Sequence, residues 1–251
     1  MLGMILWKEG MGRRVEARER CFLHVRFLCC ELEAGKGEAA RRRRLIKGAK
    51  LLKKQGVREL ILPEGVDGGF LEDLGLRPLP TLPLRRMLSA DWLKMELEAR
   101  GAAPAKSRVA VVGESLSGEL VRAVTALSLQ YRYVLLSLKE GGEQLAKHLR
   151  REYGVALQLA PTQEQPKEAE GALLFAPCDW ALPAGKPTLR LYGEEDTLPP
   201  LALPPALEEQ LPRGVDRGQL FAALLRAGVL RPGQLSLLRR EESAPPTGKR
   251  P

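Results

Sequence analysis

The chain has 251 residues, of which 44% are hydrophobic and 28% are charged, and this balance is ordinary for a globular protein. No apolar run reaches the roughly 18 residues needed to cross a bilayer, and the four cysteines show no disulfide-framework spacing. These features argue against a membrane-spanning chain and a disulfide scaffold. We therefore expect a cytoplasmic protein with reduced thiols and no membrane insertion.

The net charge of +9 is concentrated in one segment. Residues 36–58 contain ten Lys and Arg residues and a single acidic residue, Glu38. Because the whole chain has 40 basic and 31 acidic residues, the rest of it is electrically balanced. The basic character is thus a local feature, and it falls within a predicted helix.

The first half of the chain predicts a small α/β domain. Met4–Lys8 and Val15–Glu31 are expected to be strands, the second because its odd positions from 21 to 29 are all apolar, a period of two. A helix is predicted for Glu38–Gln55, ended by Gly56, and a further strand for Glu59–Leu62. Strand, helix and strand in this order indicate a βαβ unit with parallel strands.

A small, proline-containing segment, GAAPAKS at 101–107, follows a helix predicted for Pro83–Arg100. We interpret this segment as a linker. It divides a domain of residues 1–100, which carries the basic helix, from a domain of residues 108–240. Residues 241–251 are predicted to form a disordered tail.

The second half alternates strands and helices. Strands are predicted at 108–112, 133–138, 155–159, 172–175 and 188–191, and helices at 117–130 and 141–153. A last helix should begin after Asp216 and end before Gly228. The alternation predicts one parallel sheet, with the order 3-2-1-4-5 by analogy. The fold class is therefore α/β, a small N-terminal domain with a βαβ unit followed by a Rossmann-like parallel-sheet domain.

The turn after the first strand of the second half is the main candidate for a ligand site. In VAVVGESLSGELVRAV the strand ends at Gly113, and a helix begins near Ser117 and Gly118. Unpaired N–H groups at a helix start attract anions. Residues 108–140 resemble the Rossmann dinucleotide fingerprint G-x-G-x-x-G. This resemblance implies a nucleotide phosphate at the helix start and Glu140 as the acid that binds ribose.

The turn departs from the fingerprint at its middle glycine. Ser115 stands there, and its side chain obstructs the backbone approach to a pyrophosphate, while Glu114 repels a phosphate. We therefore expect no bound cofactor and weak or no binding of NAD or NADP. A nucleotide remains the alternative to a plain turn with a serine cap.

Asp179 is a further candidate ligand-binding residue. It lies in FAPCDW, just after the strand predicted at 172–175. Because carboxyl ends of parallel strands share one edge, Asp179 should lie near the 113–118 turn. The competing interpretation is an ordinary polar loop.

No metal site is predicted. Cys21 and Cys29 should point to one side of their strand, whereas His24 and Cys30 should point to the other. The sequence also contains no C-x-x-C pair, a common unit of zinc sites. We interpret these cysteines as buried and inert.

The basic helix carries one row of cations. At 100° per residue its exposed stripe consists of Arg43, Lys47, Lys50 and Lys54, and Leu45, Ala49 and Leu52 lie opposite. Such a row can contact a polyanion, most simply the phosphates of a nucleic acid. A merely solvated helix face is the competing interpretation.

Three functions are consistent with these patterns. The sequence-based interpretation is a non-catalytic ligand-binding or interaction protein on a Rossmann-like frame, since no catalytic histidine set, metal set or intact glycine fingerprint is found. The alternative is a nucleotide-dependent enzyme with its site in the cleft between the two domains. A further alternative is nucleic-acid contact through the basic helix.

Overall fold

The computed structural model describes residues 1–8, 15–33, 37–159, 168–178, 185–193 and 198–239. The described residues form two compact units, unit 1 within residues 1–81 and 201–236, and unit 2 within residues 82–200 and 237–239. Each unit contains a five-stranded, largely parallel sheet, so the protein has the predicted α/β architecture. Among the described residues, no helix combines the length and apolar character needed to cross a membrane.

The sheet of unit 1 is built around its first strand. Its strands are β1 (Leu2–Lys8), β2 (Ala17–Phe22), β3 (Val25–Glu33), β4 (Glu59–Ile61) and β5 (Arg77–Pro78), in the spatial order β2-β3-β1-β4-β5. β2 is antiparallel to β3, and the other neighbouring pairs are parallel. The predicted βαβ unit is therefore present, with β1 lying between its two strands.

The single strand predicted for Val15–Glu31 is wrong. β2 and β3 form a hairpin whose two-residue turn is Leu23 and His24, with φ of 45° and 66°. A type I′ turn requires positive φ at both of its central residues and normally contains Asn or Gly. Because neither residue type occurs here, the alternating pattern continues through the turn and conceals it.

Helix α1 (Glu38–Lys54) connects β3 to β4 and covers one face of this sheet. Its buried residues include the predicted packing residues Leu45, Ala49 and Leu52. Gly48 allows close approach to β3, since a Cβ there would lie 3.1 Å from Leu32 Cδ1 and 3.2 Å from Cys30 Sγ. The apolar face of the basic helix thus fixes its orientation.

The sheet of unit 2 confirms the predicted topology. Its elements are α2 (Leu82–Ala99), β6 (Arg108–Gly113), α3 (Gly118–Gln130), β7 (Tyr133–Leu138), α4 (Gly142–Tyr153), β8 (Gln158–Leu159), β9 (Gly171–Leu174) and β10 (Thr188–Arg190). The spatial order is β10-β9-β6-β7-β8. Read from the β8 edge, with the five strands numbered along the chain, this is the predicted order 3-2-1-4-5. All neighbouring strands are parallel.

Alternate residues of β6 serve opposite faces of this sheet. Val109 and Val111 belong to a core cluster with apolar residues of α2, α3 and α4. Ala110 and Val112 belong to a separate cluster with Leu174 and neighbouring strand residues. Because both faces of the central strand are buried, its sequence is an uninterrupted apolar run.

The units divide the chain at other places than the predicted linker. Residues 101–107 lie inside unit 2, where they join α2 to β6. The chain returns to unit 1 at residue 201, so the domain predicted for 108–240 is not one compact body. The returning segment contains β11 (Leu201–Ala202), α5 (Pro205–Glu208) and α6 (Arg217–Arg226), and β12 (Ser236–Leu237) follows it. The predicted tail at 241–251 lies outside the described residues.

Helix α6 begins at the predicted cap, since Asp216 Oδ1 accepts a hydrogen bond of 2.8 Å from the Gln219 amide. Its partners belong to the N-terminal half of the chain. Gln219 Oε1 accepts a bond of 2.8 Å from the Leu62 amide, and Arg226 pairs with Glu59 at 2.6 Å. Contacts between residues about 160 positions apart leave no local pattern, so the sequence did not indicate this return.

Candidate functional site

The turn between β6 and α3 begins at a glycine that is required by close packing. A Cβ at Gly113 would lie 2.6 Å from Leu120 Cδ1 and 2.9 Å from Leu138 Cδ2. Strand β6, helix α3 and strand β7 therefore meet at a point that admits no side chain. This matches the first glycine of the fingerprint, which permits a tight turn between strand and helix.

The next two residues of the turn are exposed. Ser115 presents its side chain to solvent at the position of the missing glycine. Glu114 forms an ion pair of 3.0 Å with Lys139, which follows β7. The charge repulsion expected of Glu114 toward a phosphate is therefore countered by an adjacent cation, although exposed pairs contribute little stability.

Helix α3 starts with a side-chain cap and an open glycine. Ser117 Oγ accepts a hydrogen bond of 3.2 Å from the Leu120 amide, as an N-cap serine does. Apart from its two chain neighbours and the backbone of its own helix, no atom lies within 4 Å of the position that a Cβ would occupy at Gly118. The first amides of a helix have no intrahelical acceptor, so an anion can approach them over Gly118.

Glu140 lies beside this turn. Its amide donates a hydrogen bond of 3.1 Å to the Glu114 carbonyl, and its side chain is exposed. Leu116 packs against Gly141, where a Cβ would lie 2.7 Å from the leucine side chain. The structure therefore brings Glu140 together with the predicted residues Gly113, Ser115, Ser117 and Gly118. Asp179 lies outside the described residues.

The strand order of unit 2 reverses between β6 and β9. The connection after β6 leads to β7 on one side of the sheet, and the connection after β9 leads to β10 on the other side. After β9, the Phe175 amide donates a bond of 2.8 Å to the Val112 carbonyl. The Arg86 guanidinium lies 5.9 Å from the Phe175 ring centre, and its Nε donates a bond of 2.7 Å to the Leu191 carbonyl. Arg86 is thus a half-buried cation at the carboxyl edge.

Sequence reasoning missed Arg86 because α2 was assigned to the other domain. The available signal was the pair Arg85 and Arg86 in a mostly apolar stretch of the sequence. In the structure Arg85 is only 2% exposed. Arg85 Nη2 donates a bond of 2.5 Å to the Gly193 carbonyl. Two adjacent arginines of α2 therefore bind carbonyl groups that follow β10.

The row of cations on α1 is exposed throughout. All four side chains, those of Arg43, Lys47, Lys50 and Lys54, are exposed. None of them has a hydrogen bond or ion pair with another described residue. Neighbouring cations outside the stripe are engaged, since Arg44 pairs with Glu33 at 3.0 Å. Exposure agrees with the predicted geometry, and polyanion contact stays a prediction.

The adjacent cysteines of β3 are poor nucleophiles. Cys29 and Cys30 are buried, and burial raises the pKa of each thiol to about 11. Both thiols are therefore protonated near neutral pH, and the thiolate is the reactive form. Within the described ranges, no three His, Cys, Asp or Glu side chains are grouped as metal ligands would be.

The comparisons with known proteins give structural likeness alone. No protein-family model matches the sequence, and no curated protein matches it either. Shikimate 5-dehydrogenase from Listeria monocytogenes is 9% identical over 60% of this chain and 58% of its own, with a TM-score of 0.28. The catalytic subunit of aspartate transcarbamoylase from M. jannaschii is 12% identical over 69% and 60%, with a TM-score of 0.29.

A third similar structure is 5-ketofructose reductase of Gluconobacter sp. strain CHM43, 11% identical over 75% of this chain and 73% of its own, with a TM-score of 0.28. The matches to the first two proteins span less than two thirds of their lengths. Such likeness assigns neither substrate nor cofactor to this chain. The sequence-based interpretation as a non-catalytic protein is not retained. The similar structures include those of dehydrogenases, reductases and carbamoyltransferases.

Proposed function

We propose that this chain is an enzyme that uses a nucleotide, which binds at the carboxyl edge of the unit 2 sheet. The observation that carries the proposal is the strand order β10-β9-β6-β7-β8. Ligands of open α/β sheets bind outside the carboxyl ends of strands, where the strand order reverses. In unit 2 the strand order reverses between β6 and β9, and the turn at 113–118 and the residues after β9 lie at this point.

The residues of the turn suit a phosphate. The amide groups behind Gly118 are approachable because nothing occupies the space beside its Cα, and the helix start favours an anion. The exposed hydroxyl of Ser115 can donate a further hydrogen bond to a phosphate oxygen. Lys139 offsets the charge of Glu114, so the turn does not repel the ligand as its sequence alone indicates.

The carboxylate of Glu140 suits a ribose. The backbone bond from Glu140 to Glu114 holds the end of β7 next to the turn, and an exposed carboxylate there can accept bonds from ribose hydroxyl groups. Arg86 supplies a cation on the other side of β6. We assign it the binding of an anionic reactant, because only its Nε is engaged by a described acceptor.

Calorimetric titration with ATP, NAD and NADP tests the nucleotide site. The variant Gly118→Val covers the approach to the helix amides, and Gly233→Val is the matched control, because a Cβ at Gly233 also meets no atom within 4 Å. We expect at least one nucleotide to bind, with about tenfold lower affinity for Gly118→Val, since charge-assisted bonds to the anion are lost. No binding by the native chain, or equal losses in both variants, would contradict the proposal.

Turnover is tested separately from binding. Phosphorus NMR and the absorbance of NADH follow consumption of whichever nucleotide binds, in the presence of a panel of small carboxylates and phosphates. We expect Arg86→Gln to lower turnover while the nucleotide affinity stays within about twofold. If a nucleotide binds but no mixture is turned over, the nucleotide site is supported and the proposal that the chain is an enzyme is refuted.

Polyanion binding by α1 is a second candidate function. Its support is the exposed, unengaged row of Arg43, Lys47, Lys50 and Lys54 in a segment that carries the whole net charge. Binding phosphates releases counterions, so retention should fall steeply with added salt. The test is retention on DNA and RNA at low salt by the native chain and by the variant with all four residues changed to Gln. Equal retention by both would refute this role.

We also propose a cytoplasmic location. The cysteines are free thiols in the structure, as expected for a reducing compartment. Alkylation during cell lysis, followed by mass spectrometry, should find all four cysteines modified. A disulfide involving Cys21, which is exposed, would contradict the location.

A further inference from the structure

A pocket of about 600 Å³ opens at the carboxyl edge of the unit 1 sheet. Trp7 at the end of β1, the first two turns of α1 and the loop after β4 line it. Its volume lies within the range of small-molecule pockets. It consists of unit 1 residues alone and shares no residue with the site proposed in unit 2.

Charged residues of α1 face this pocket from an otherwise apolar side of the helix. Glu38, Arg41 and Arg42 line the pocket together with Leu45, and the spacing i, i+3, i+4, i+7 places all four on one face. That face continues into the buried residues Ala49 and Leu52. The three charged side chains are exposed, whereas Leu45 is buried, so their charges are accessible to a ligand in the pocket.

Three of the charged residues that line the pocket have no side-chain partner among the described residues. Glu38 and Arg42 have the i, i+4 spacing that commonly forms an ion pair on a helix, yet the side chains of Glu38, Arg42 and Glu64 make no hydrogen bond or ion pair with another described residue. Asp67 accepts a bond of 3.2 Å from the Gly69 amide, which shapes the loop. Unengaged charges of both signs are therefore held around one cavity.

The remaining walls of the pocket are apolar. Phe70 and Leu45 are buried, and Trp7 and Val66 are half-buried. A ligand with a hydrocarbon part would cover this surface, and burial of apolar area contributes about 25 cal/mol per Å². The pocket thus combines an anion-binding guanidinium, cation-binding carboxylates and an apolar wall.

We infer that this pocket binds a small zwitterion, specifically an α-amino acid with an apolar side chain. Arg42 binds the α-carboxylate, since a guanidinium can donate two parallel bonds to it. Glu64 accepts bonds from the α-ammonium group, and the side chain lies against Trp7 and Val66. Because the pocket would bind both the carboxylate and the ammonium group, it should prefer an amino acid to a ligand that carries only one of these charges.

The test compares amino acids with analogues that lack one charge. Calorimetric titrations use L-leucine and L-phenylalanine, the acids without the amino group (isocaproate and hydrocinnamate), and the amines without the carboxylate (isopentylamine and phenethylamine). We expect at least one amino acid to bind, and its two analogues to bind at least about tenfold more weakly, because each lost charge removes a charge-assisted bond. Absence of amino-acid binding, or equal affinity for an analogue, would overturn the inference.

Substitutions of the lining residues test whether the amino acid binds in this pocket. Arg42→Gln and Glu64→Gln should each weaken amino-acid binding about tenfold. Arg58→Gln is the matched control, because Arg58 is an exposed arginine of the same unit that does not line the pocket, and it should leave affinity within about twofold. Equal effects of Arg42→Gln and Arg58→Gln would overturn the inference. Nucleotide titration of the same variants should be unchanged, which separates this site from that of unit 2.

Discussion

Both units have a largely parallel sheet with loops at its carboxyl edge, but the side chains of those loops differ. In unit 2 the loops after β6 and β7 hold each other, through the Glu114–Lys139 pair, the bond from the Glu140 amide to Glu114 and Leu116 against Gly141. In unit 1 the carboxyl edge opens into a pocket of about 600 Å³ that is lined by charged residues of both signs. The sheet supplies the position of a site, whereas the loop side chains decide which ligand it accepts.

The two sites also differ in how far the sequence alone reveals them. The glycine pattern directs attention to unit 2, because a phosphate turn has a recognisable spacing. The pocket of unit 1 follows no such spacing, since its residues come from the ends of β1, α1 and the loop after β4. Because the residues of this site come from three separate chain segments, the site can be recognised only in the structure.

The sharpest distinction between the edges is the packed glycine of unit 2. Gly113→Val should lower the free energy of unfolding by about 3 kcal/mol, because its side chain overlaps Leu120 and Leu138 and overpacking of this kind is costly. Gly118→Val, in the same turn but without neighbours within 4 Å, should change it by less than about 0.5 kcal/mol. Urea unfolding of both variants measures the difference. Equal losses would mean that the two glycines share one role.

The completion of unit 1 by the C-terminal segment gives the next largest effect. Gln219→Leu removes the acceptor of the buried Leu62 amide and should cost about 2 kcal/mol. Gln210→Leu removes an exposed bond to the Ala206 carbonyl in the same segment and should cost less than about 0.5 kcal/mol. The measurement is again urea unfolding. A silent Gln219→Leu would show that α6 contributes little to unit 1.

The same connection predicts a dependence on pH. A hydrogen bond from Arg226, followed by one from Arg77, lowers the pKa of Glu59 below its ordinary value of 4.5, against the opposing effect of burial. The unfolded chain therefore takes up this proton first, so the associated stability is present above pH 4.5 and is lost as the pH falls through the lowered pKa. Arg226→Gln should make this acid loss of stability shallower. Urea unfolding from about pH 7 to about pH 3 measures it.

The neighbouring Arg58→Gln serves as the control for that titration. Arg58 is exposed, and it does not appear among the groups that lower the pKa of Glu59. Its pH profile should parallel that of the native chain. Parallel profiles for all three proteins would show that the Arg226 contact to Glu59 does not stabilise unit 1.

The hairpin of unit 1 gives the smallest effect, and it is a gain. Leu23 and His24 adopt positive φ angles, a conformation that is unfavourable for residues other than Asn, Asp and Gly. Replacing them by Asn and Gly should raise the free energy of unfolding by about 1 kcal/mol. Thermal unfolding measures the change, with His24→Gly alone expected to give part of it. A loss in the double variant would assign a packing role to the Leu23 side chain.

The sequence by itself determined what local periodicity and turn chemistry can specify. It predicted the parallel sheet of unit 2 with its order, the packing and exposed faces of α1, and the Asp216 cap of α6. It also located the turn from Gly113 to Gly118 at the carboxyl edge. Each of these depends on residues that are close together in the chain.

Only the tertiary structure decided the features that join distant segments. It separated β2 from β3 at a turn without Asn or Gly, moved α2 into unit 2, and returned α6 to unit 1 through the Gln219 contact to Leu62. It placed Arg86 beside Phe175 and assembled the charged pocket of unit 1. Such contacts form because the buried surfaces of separate elements match in three dimensions, and no periodicity within a single element records that match.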